Sequence, residues 1–261
     1  MIMVRIGIFD SGIGGLSILR DVRQHLPAAE IVYYGDTRNV PYGGRPTEDI
    51  ERLSLAALEV VRGYRPDIIV VACNTATSVA IQKMRSIHSD LPIVGVVPVI
   101  KKAVERSKAK KIAVLATAAT LTSHSYATLK QTFAPGVEVL DLALPEWVTM
   151  TERGDLASPD LAASVEVVAN KIHDFGADVV ALGCTHFVFL RPLIEAALPG
   201  VTVMDSGSAV ARQTERLLRL NRKLTPAKGQ GSVTYVCSGD PAAFSRVASE
   251  LLGEKIEARK V

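Results

Sequence analysis

Two stretches, Asp67-Ile-Ile-Val-Val-Ala-Cys73-Asn-Thr75 and Asp178-Val-Val-Ala-Leu-Gly-Cys184-Thr-His186, decide how this chain is read. Each runs from an acidic residue through a short apolar segment to a small residue, a cysteine and polar residues. A short run rich in Val and Ile reads as a strand buried on both faces, as in a parallel sheet. The polar residues after each cysteine open a helix. The echo predicts two related α/β units, each presenting a cysteine at the C-terminal end of a strand. Ligands of open α/β sheets bind at that end.

Outward from these stretches the same alternation continues. Strands are predicted over 4–9, 31–34, 68–72, 93–96, 112–115, 137–140, 179–182, 201–204 and 232–237. Helices are predicted over 14–25, 47–63, 75–88, 99–107, 122–133, 159–175, 187–197, 208–220 and 241–252. Leu53, Ala56, Ala57 and Val60 give one apolar helical face. Ser158 before Pro159 reads as a cap followed by proline at the first helical position. The predicted fold class is α/β, two similar α/β domains with mainly parallel sheets.

Composition narrows the function. The 261 residues are 48% hydrophobic and 22% charged with a net charge of +3, which excludes a mainly disordered chain. Nothing is long and apolar enough to span a bilayer, and the N-terminus carries no signal-peptide pattern. Thirty Lys and Arg against 27 Asp and Glu, with six Phe, six Tyr and one Trp, argue against a nucleic-acid surface. The basic runs at Lys101-Lys102, 106–111 and 219–228 read as solvated faces near helix ends. Three cysteines (Cys73, Cys184, Cys237) without a C-x-x-C argue against a disulfide framework or zinc ribbon and place the chain in a reducing cytoplasm. The histidines show no metal-ligand spacing. His25, His88 and His173 read as surface or cationic groups at helix ends, and His124 as solvent-facing. His186 stands apart because it lies two residues from Cys184.

The junctions carry the chemistry. Phe9-Asp10-Ser11-Gly12-Ile13-Gly14-Gly15 takes a strand through a glycine-rich turn into a helix. Free N–H groups there suit an anion, although such a turn is more often a packing feature. It is no dinucleotide fingerprint, since Ser17 stands at the third glycine position. Tyr42-Gly43, in a polar loop after the second strand, offers a hydroxyl and exposed backbone. Cys73 and Cys184 sit at predicted helix starts, a position that favours the thiolate. Cys237 reads as structural. Cys184 with His186 alone suits a nucleophilic hydrolase. Two matched cysteines suit a different reaction, in which a thiolate removes a proton from carbon and an opposing thiol returns one to the other face.

On these motifs the chain resembles the glutamate racemases, within the cofactor-independent aspartate/glutamate racemase group. The resemblance rests on Gly7-Ile-Phe-Asp10-Ser-Gly-Ile-Gly-Gly15, Tyr34-Gly-Asp-Thr37, Pro41-Tyr-Gly43, Ala72-Cys-Asn-Thr-Ala76 and Leu182-Gly-Cys-Thr-His-Phe187, and covers essentially the whole chain. It implies a discontinuous first domain (1–97 plus 208–261), a second domain (98–207) and an active site in the cleft between them. It implies interconversion of L- and D-glutamate without cofactor or metal, supply of D-glutamate for peptidoglycan, and a homodimer. Cys73 and Cys184 match the two catalytic acid/bases, acting on the D- and L-enantiomer respectively. Asp10 matches the acid that assists the first thiol and meets the substrate ammonium, and His186 the group assisting the second. Ser11, Tyr42, Gly43, Asn74, Thr75, Thr117 and Thr185 match substrate-holding positions. Glu152 matches a further assisting carboxylate, in a block where Leu144 and Thr149 depart from the family's cysteine and proline; Val188 likewise replaces a common proline. The alternatives are another racemase or a one-thiol decarboxylase of the same superfamily, or a silent amino-acid-binding or redox-sensing protein. Two cysteines argue against the decarboxylase, and their retention with Asp10 and His186 argues against the silent protein, while the Asp-Ser-Gly opening and the Gly-Cys-Thr-His block resemble the glutamate branch more than the aspartate racemases.

Overall fold

Short Val- and Ile-rich segments settle into two parallel sheets in the computed structural model, which describes residues 4–221 and 229–261. The strands are β1 (Arg5–Asp10), β2 (Glu30–Gly35), β3 (Ile68–Val71), β4 (Ile93–Gly95), β5 (Lys111–Ala116), β6 (Glu138–Ala143), β7 (Val179–Leu182), β8 (Thr202–Met204), β9 (Val233–Cys237) and β10 (Ala258–Lys260). One sheet has the order β10-β9-β2-β1-β3-β4 and the other β6-β5-β7-β8, with every pairing parallel. All residues of β3 and β7 are buried, because helices cover both faces. In the first sheet Ile6, Ile8, Ile68 and Val70 face one core, and Phe9, Val32, Ile69 and Val71 face the other. The alternation is the two-residue period of a strand.

The internal echo is topological. The run β2-β1-β3-β4 in one sheet has the same order of succession as β6-β5-β7-β8 in the other. Cys73 follows β3 and Cys184 follows β7, so each cysteine leaves the corresponding strand of its unit. The chain is α/β with two domains, as expected. All nine expected strands are present, with ends shifted by at most three residues.

Four departures have physical causes. β10 was not expected: Ala258–Lys260 is short, basic and half-exposed, an edge strand without an apolar run. Two further helices also appear. Ala118–Leu121 is a single turn, and Pro145–Arg153 begins with proline and ends on Gly154 at φ 82°. The expected helix over 187–197 divides into a 3₁₀ helix, Thr185–Leu190, and an α-helix, Arg191–Ala197. Pro192 has no N–H for the α-helical ladder, so regular bonding restarts beside it. His88 is buried against Glu59 (Nε2 to Oε1, 2.7 Å) and Arg62 rather than lying at the surface. His124 is exposed, as expected. The basic run over 219–228 lies largely outside the described residues. Among the described residues no helix is long and apolar enough to cross a membrane.

Helix Pro145–Arg153 is held by Trp147, which is fully buried, packs edge-on against Phe187 at 5.3 Å between centroids and donates from Nε1 to Ser164 Oγ at 2.9 Å. This contact ties the helix to the 3₁₀ segment beside Cys184. Trp147→Ala is expected to lower unfolding stability by about 3–5 kcal/mol, read by urea denaturation followed through far-UV circular dichroism.

Candidate functional site

The first half of the site is built at the ends of β1 and β3. Cys73 caps helix Asn74–Ile87, its Sγ accepting the Ala76 N–H at 3.4 Å and donating to Ser11 Oγ at 3.4 Å. Asp10, at the end of β1, is wholly buried. Its Oδ2 accepts the Gly12 N–H at 2.9 Å, while Oδ1 is buried with no hydrogen-bond partner among the described residues. Burial lifts the Asp10 carboxyl from 3.8 to about 6, against the lowering pull of His186 and the Gly12 N–H. An orphaned carboxylate oxygen in such a place is an acceptor waiting for a donor.

The helix-start argument for an acidic Cys73 thiol is corrected by the structure. Burial, and then the charge of Asp10, push the thiol up to about 12, although Ser11 and the Ala76 N–H both act to lower it. Desolvation outweighs the helix start. Burial therefore favours the protonated thiol at Cys73. The charge of Cys184 also opposes its ionisation, so the two sulfurs lie within electrostatic reach across the cleft.

The second half belongs to the other sheet. Cys184 precedes the 3₁₀ helix, and its Sγ lies 3.6 Å from His186 Nδ1. The far nitrogen, Nε2, is 2.6 Å from Glu152 Oε1. Burial alone would lower the His186 pKa, but Cys184 and Glu152 on its two nitrogens carry it well above its ordinary value. The rise makes the imidazole a stronger proton acceptor between the Cys184 sulfur and the Glu152 carboxylate.

The expected binding residues line the seam between the halves. Thr75 Oγ1 meets Thr117 Oγ1 at 2.9 Å, and Thr117 continues to Thr120 Oγ1 at 3.0 Å. Thr75 comes from the first sheet's unit and Thr117 from the second, so this hydroxyl chain crosses the cleft. Asn74 and Thr185 are buried beside the two cysteines; the Thr185 carbonyl accepts the Ser17 hydroxyl at 3.1 Å. Gly43 lies against Thr117: a Cβ there would be 2.7 Å from the Thr117 Cβ. Tyr42 is buried, and its hydroxyl donates to Asp36 Oδ2 at 2.6 Å, leaving the phenol oxygen as an acceptor. Burial and Asp36 hold it well above the usual phenol range. Cys237 is buried at the end of β9.

Residue-level reading of the sequence did not find Asp36. It also accepts from Asn39 and Ser238 and so organises the Tyr42-Gly43 loop. Only its place in the polar loop after β2 signalled it. Nor did that reading show what the glycine turn faces. Ile13 N–H donates to Glu152 Oε1 at 2.8 Å, with Gly12 and Gly14 against the Glu152 carboxylate and the His186 ring.

The Asp/Glu/Hydantoin racemase family matches residues 15–214. The chain is 44% identical over 247 residues to a glutamate racemase of Herpetosiphon aurantiacus, covering 93% of this chain and 95% of that one. A glutamate racemase isoform from Bacillus anthracis superposes with a TM-score of 0.88 at 26% identity, covering 99% of this chain and 97% of the other. A glutamate racemase from Francisella tularensis in complex with D-glutamate superposes with a TM-score of 0.85 at 26% identity, covering 98% and 95%.

The raised pKa of Asp10 fixes the sign of a pH effect. Its folded value of about 6 lies above 3.8, so the native state binds the extra proton in that window. The resulting stabilisation is present below 3.8 and is lost as pH rises through about 6. Asp10→Asn carries no such charge. Its stability relative to the unsubstituted protein is expected to rise by roughly 2–3 kcal/mol between pH 4 and pH 7, measured by urea unfolding at each pH.

Proposed function

This chain belongs to the Asp/Glu/Hydantoin racemase family, and we propose that it interconverts L- and D-glutamate, with Cys73 and Cys184 as the opposing acid–base groups. The observation that carries the reading is the pairing of two buried thiols at matching strand ends of two sheets, each with its own partner set. Asp10 and Ser11 attend one, and His186 and Glu152 attend the other. The proposed domains are 1–97 with 208–261, and 98–207, a division that leaves each sheet whole. Ser206 Oγ donates to the Val97 carbonyl at 2.5 Å, where the two crossings meet.

The substrate ammonium fits the orphaned Asp10 Oδ1, supplying the missing donor. Its positive charge beside Asp10 and Cys73 also eases ionisation of a thiol that burial holds protonated. The carboxylates fit the seam of Ser11, Asn74, Thr75, Thr117 and Thr185 with the Gly43 backbone, where aligned donors hold the charge that develops as the α-carbon loses its proton. For L-glutamate the Cys184 thiolate takes the α-proton. The C–H electron pair stays on carbon, and the Cys73 thiol delivers its proton to the opposite face. The D-enantiomer runs the same path in reverse. His186, held by Glu152, takes up the proton that leaves Cys184 as the thiolate forms. The product D-glutamate serves peptidoglycan synthesis in the cytoplasm, where three unpaired cysteines are at home.

In heavy water, either enantiomer of glutamate is expected to gain deuterium at the α-carbon while optical activity decays to zero. Absence of exchange from both enantiomers removes the assignment. Cys73→Ser and Cys184→Ser are each expected to cut racemisation by about 10²–10⁴-fold, because a hydroxyl is too weak an acid and its conjugate too scarce near neutral pH. Normal turnover in either variant disproves the two-thiol mechanism.

A further inference from the structure

The turn Gly12-Ile13-Gly14 is the place where one lobe touches the acid–base partners of the other lobe's thiol. Glu152 Oε1 accepts the Ile13 N–H at 2.8 Å, and the same oxygen lies 2.6 Å from His186 Nε2. A Cβ on Gly12 would sit 1.9 Å from Glu152 Oε1, and one on Gly14 would sit 2.3 Å from His186 Nδ1. Neither glycine has positive φ, so backbone conformation does not call for glycine here. Only the closeness of the approach does. Ser17, one turn further along, adds a second bond across the seam through the Thr185 carbonyl. The carboxylate of Glu152 already takes the Ile13 N–H of this turn.

We infer that Gly12-Ile13-Gly14 is the positioning element of the Cys184 half-site, bracing the Glu152–His186 pair from the opposite lobe, so that the imidazole is held in its working orientation against Cys184 only when the lobes are shut. The inference rests on the proposed role of Cys184. Both thiols are only 5% exposed, so the lobes must part to admit a substrate of glutamate's size. Parting stretches the seam, and a hydrogen bond is lost within about an ångström of extension. Glu152 then loses its backbone donor, and His186 loses the surface that sets its ring. When the lobes close on substrate, the turn returns and fixes the imidazole against Cys184. The device keeps the reactive thiolate out of an open, wet cleft and couples binding of the remote substrate groups to proton transfer.

Gly12→Ala and Gly14→Ala, made in the full chain, test this. Each pushes one member of the pair from its place while leaving both sulfurs, Asp10 and the threonines intact. The expected result is a fall in kcat of about 10²-fold with KM changed by less than about threefold, the signature of misplacement rather than lost binding. The deuterium isotope effect for α-labelled glutamate is expected to grow more for the L- than for the D-enantiomer, because only the Cys184 transfer is slowed. A general loosening of the fold would move both equally, and equal isotope effects or unchanged kcat overturn the inference. Cys184→Ser is run alongside. If it retains racemisation, the underlying reading fails; if it is dead while the alanine variants behave as the unsubstituted enzyme, only the present inference fails. Should neither alanine variant fold, hydrogen exchange at the Ile13 amide of the unsubstituted enzyme decides. Exchange is expected to slow under saturating glutamate and to lose that slowing in Glu152→Ala; no slowing in the unsubstituted enzyme overturns the inference.

Discussion

Exclusion of water from the seam between two sheets is the constraint on which this site depends. Asp10, Cys73 and His186 are all ionisable and all buried, an arrangement that costs free energy unless each finds a compensating partner. His186 finds two, Cys184 and Glu152, and its proton affinity rises despite burial. Cys73 finds only a hydroxyl and one N–H, and its thiol stays protonated. Asp10 is left with one oxygen unmatched. Different partners in the same dry seam therefore give the two halves opposite characters, one with a thiol that burial keeps protonated and one with a sulfur beside a strengthened base. Opposite characters are what a reaction with one donor and one acceptor needs.

Repetition of a four-strand order explains how two such halves come to face each other. In each unit the cysteine leaves the strand inside the matching order, so two similar frames deliver two sulfurs to one cleft. What differs is the equipment around them. The first unit places a carboxylate at the end of its β1, and the second recruits one from helix Pro145–Arg153 through a histidine. Asymmetry is thus added to a shared scaffold by side chains from neighbouring elements, and the scaffold itself need not differ.

The strands were legible because burial on both faces leaves an unbroken Val/Ile signature, as at Ile68–Val71 and Val179–Leu182. The thiols were legible because cysteine recurs in matching frames. What could not be read depends on contacts distant in sequence. The terminal strand Ala258–Lys260 exists because β9 offers it an edge, not because Ala-Arg-Lys favours a strand. The rise of the Cys73 pKa depends on burial by neighbours, which a helix-start argument ignores. The bond from the Tyr42 hydroxyl to Asp36, six residues earlier, depends on how the loop folds back. Helix Pro145–Arg153 did carry local signals: proline at its first turn, Glu146 near its start, Arg153 near its end and Gly154 just beyond. Its apolar content was too sparse for periodicity to reveal it.

The single tryptophan of the chain has a consequence of its own. Trp147 stands on the helix that carries Glu152 and rests on Phe187, the neighbour of His186. Its indole therefore senses the packing of the Cys184 side and little else. Intrinsic emission from this molecule is a local optical gauge, reporting from one half of the cleft without any attached dye.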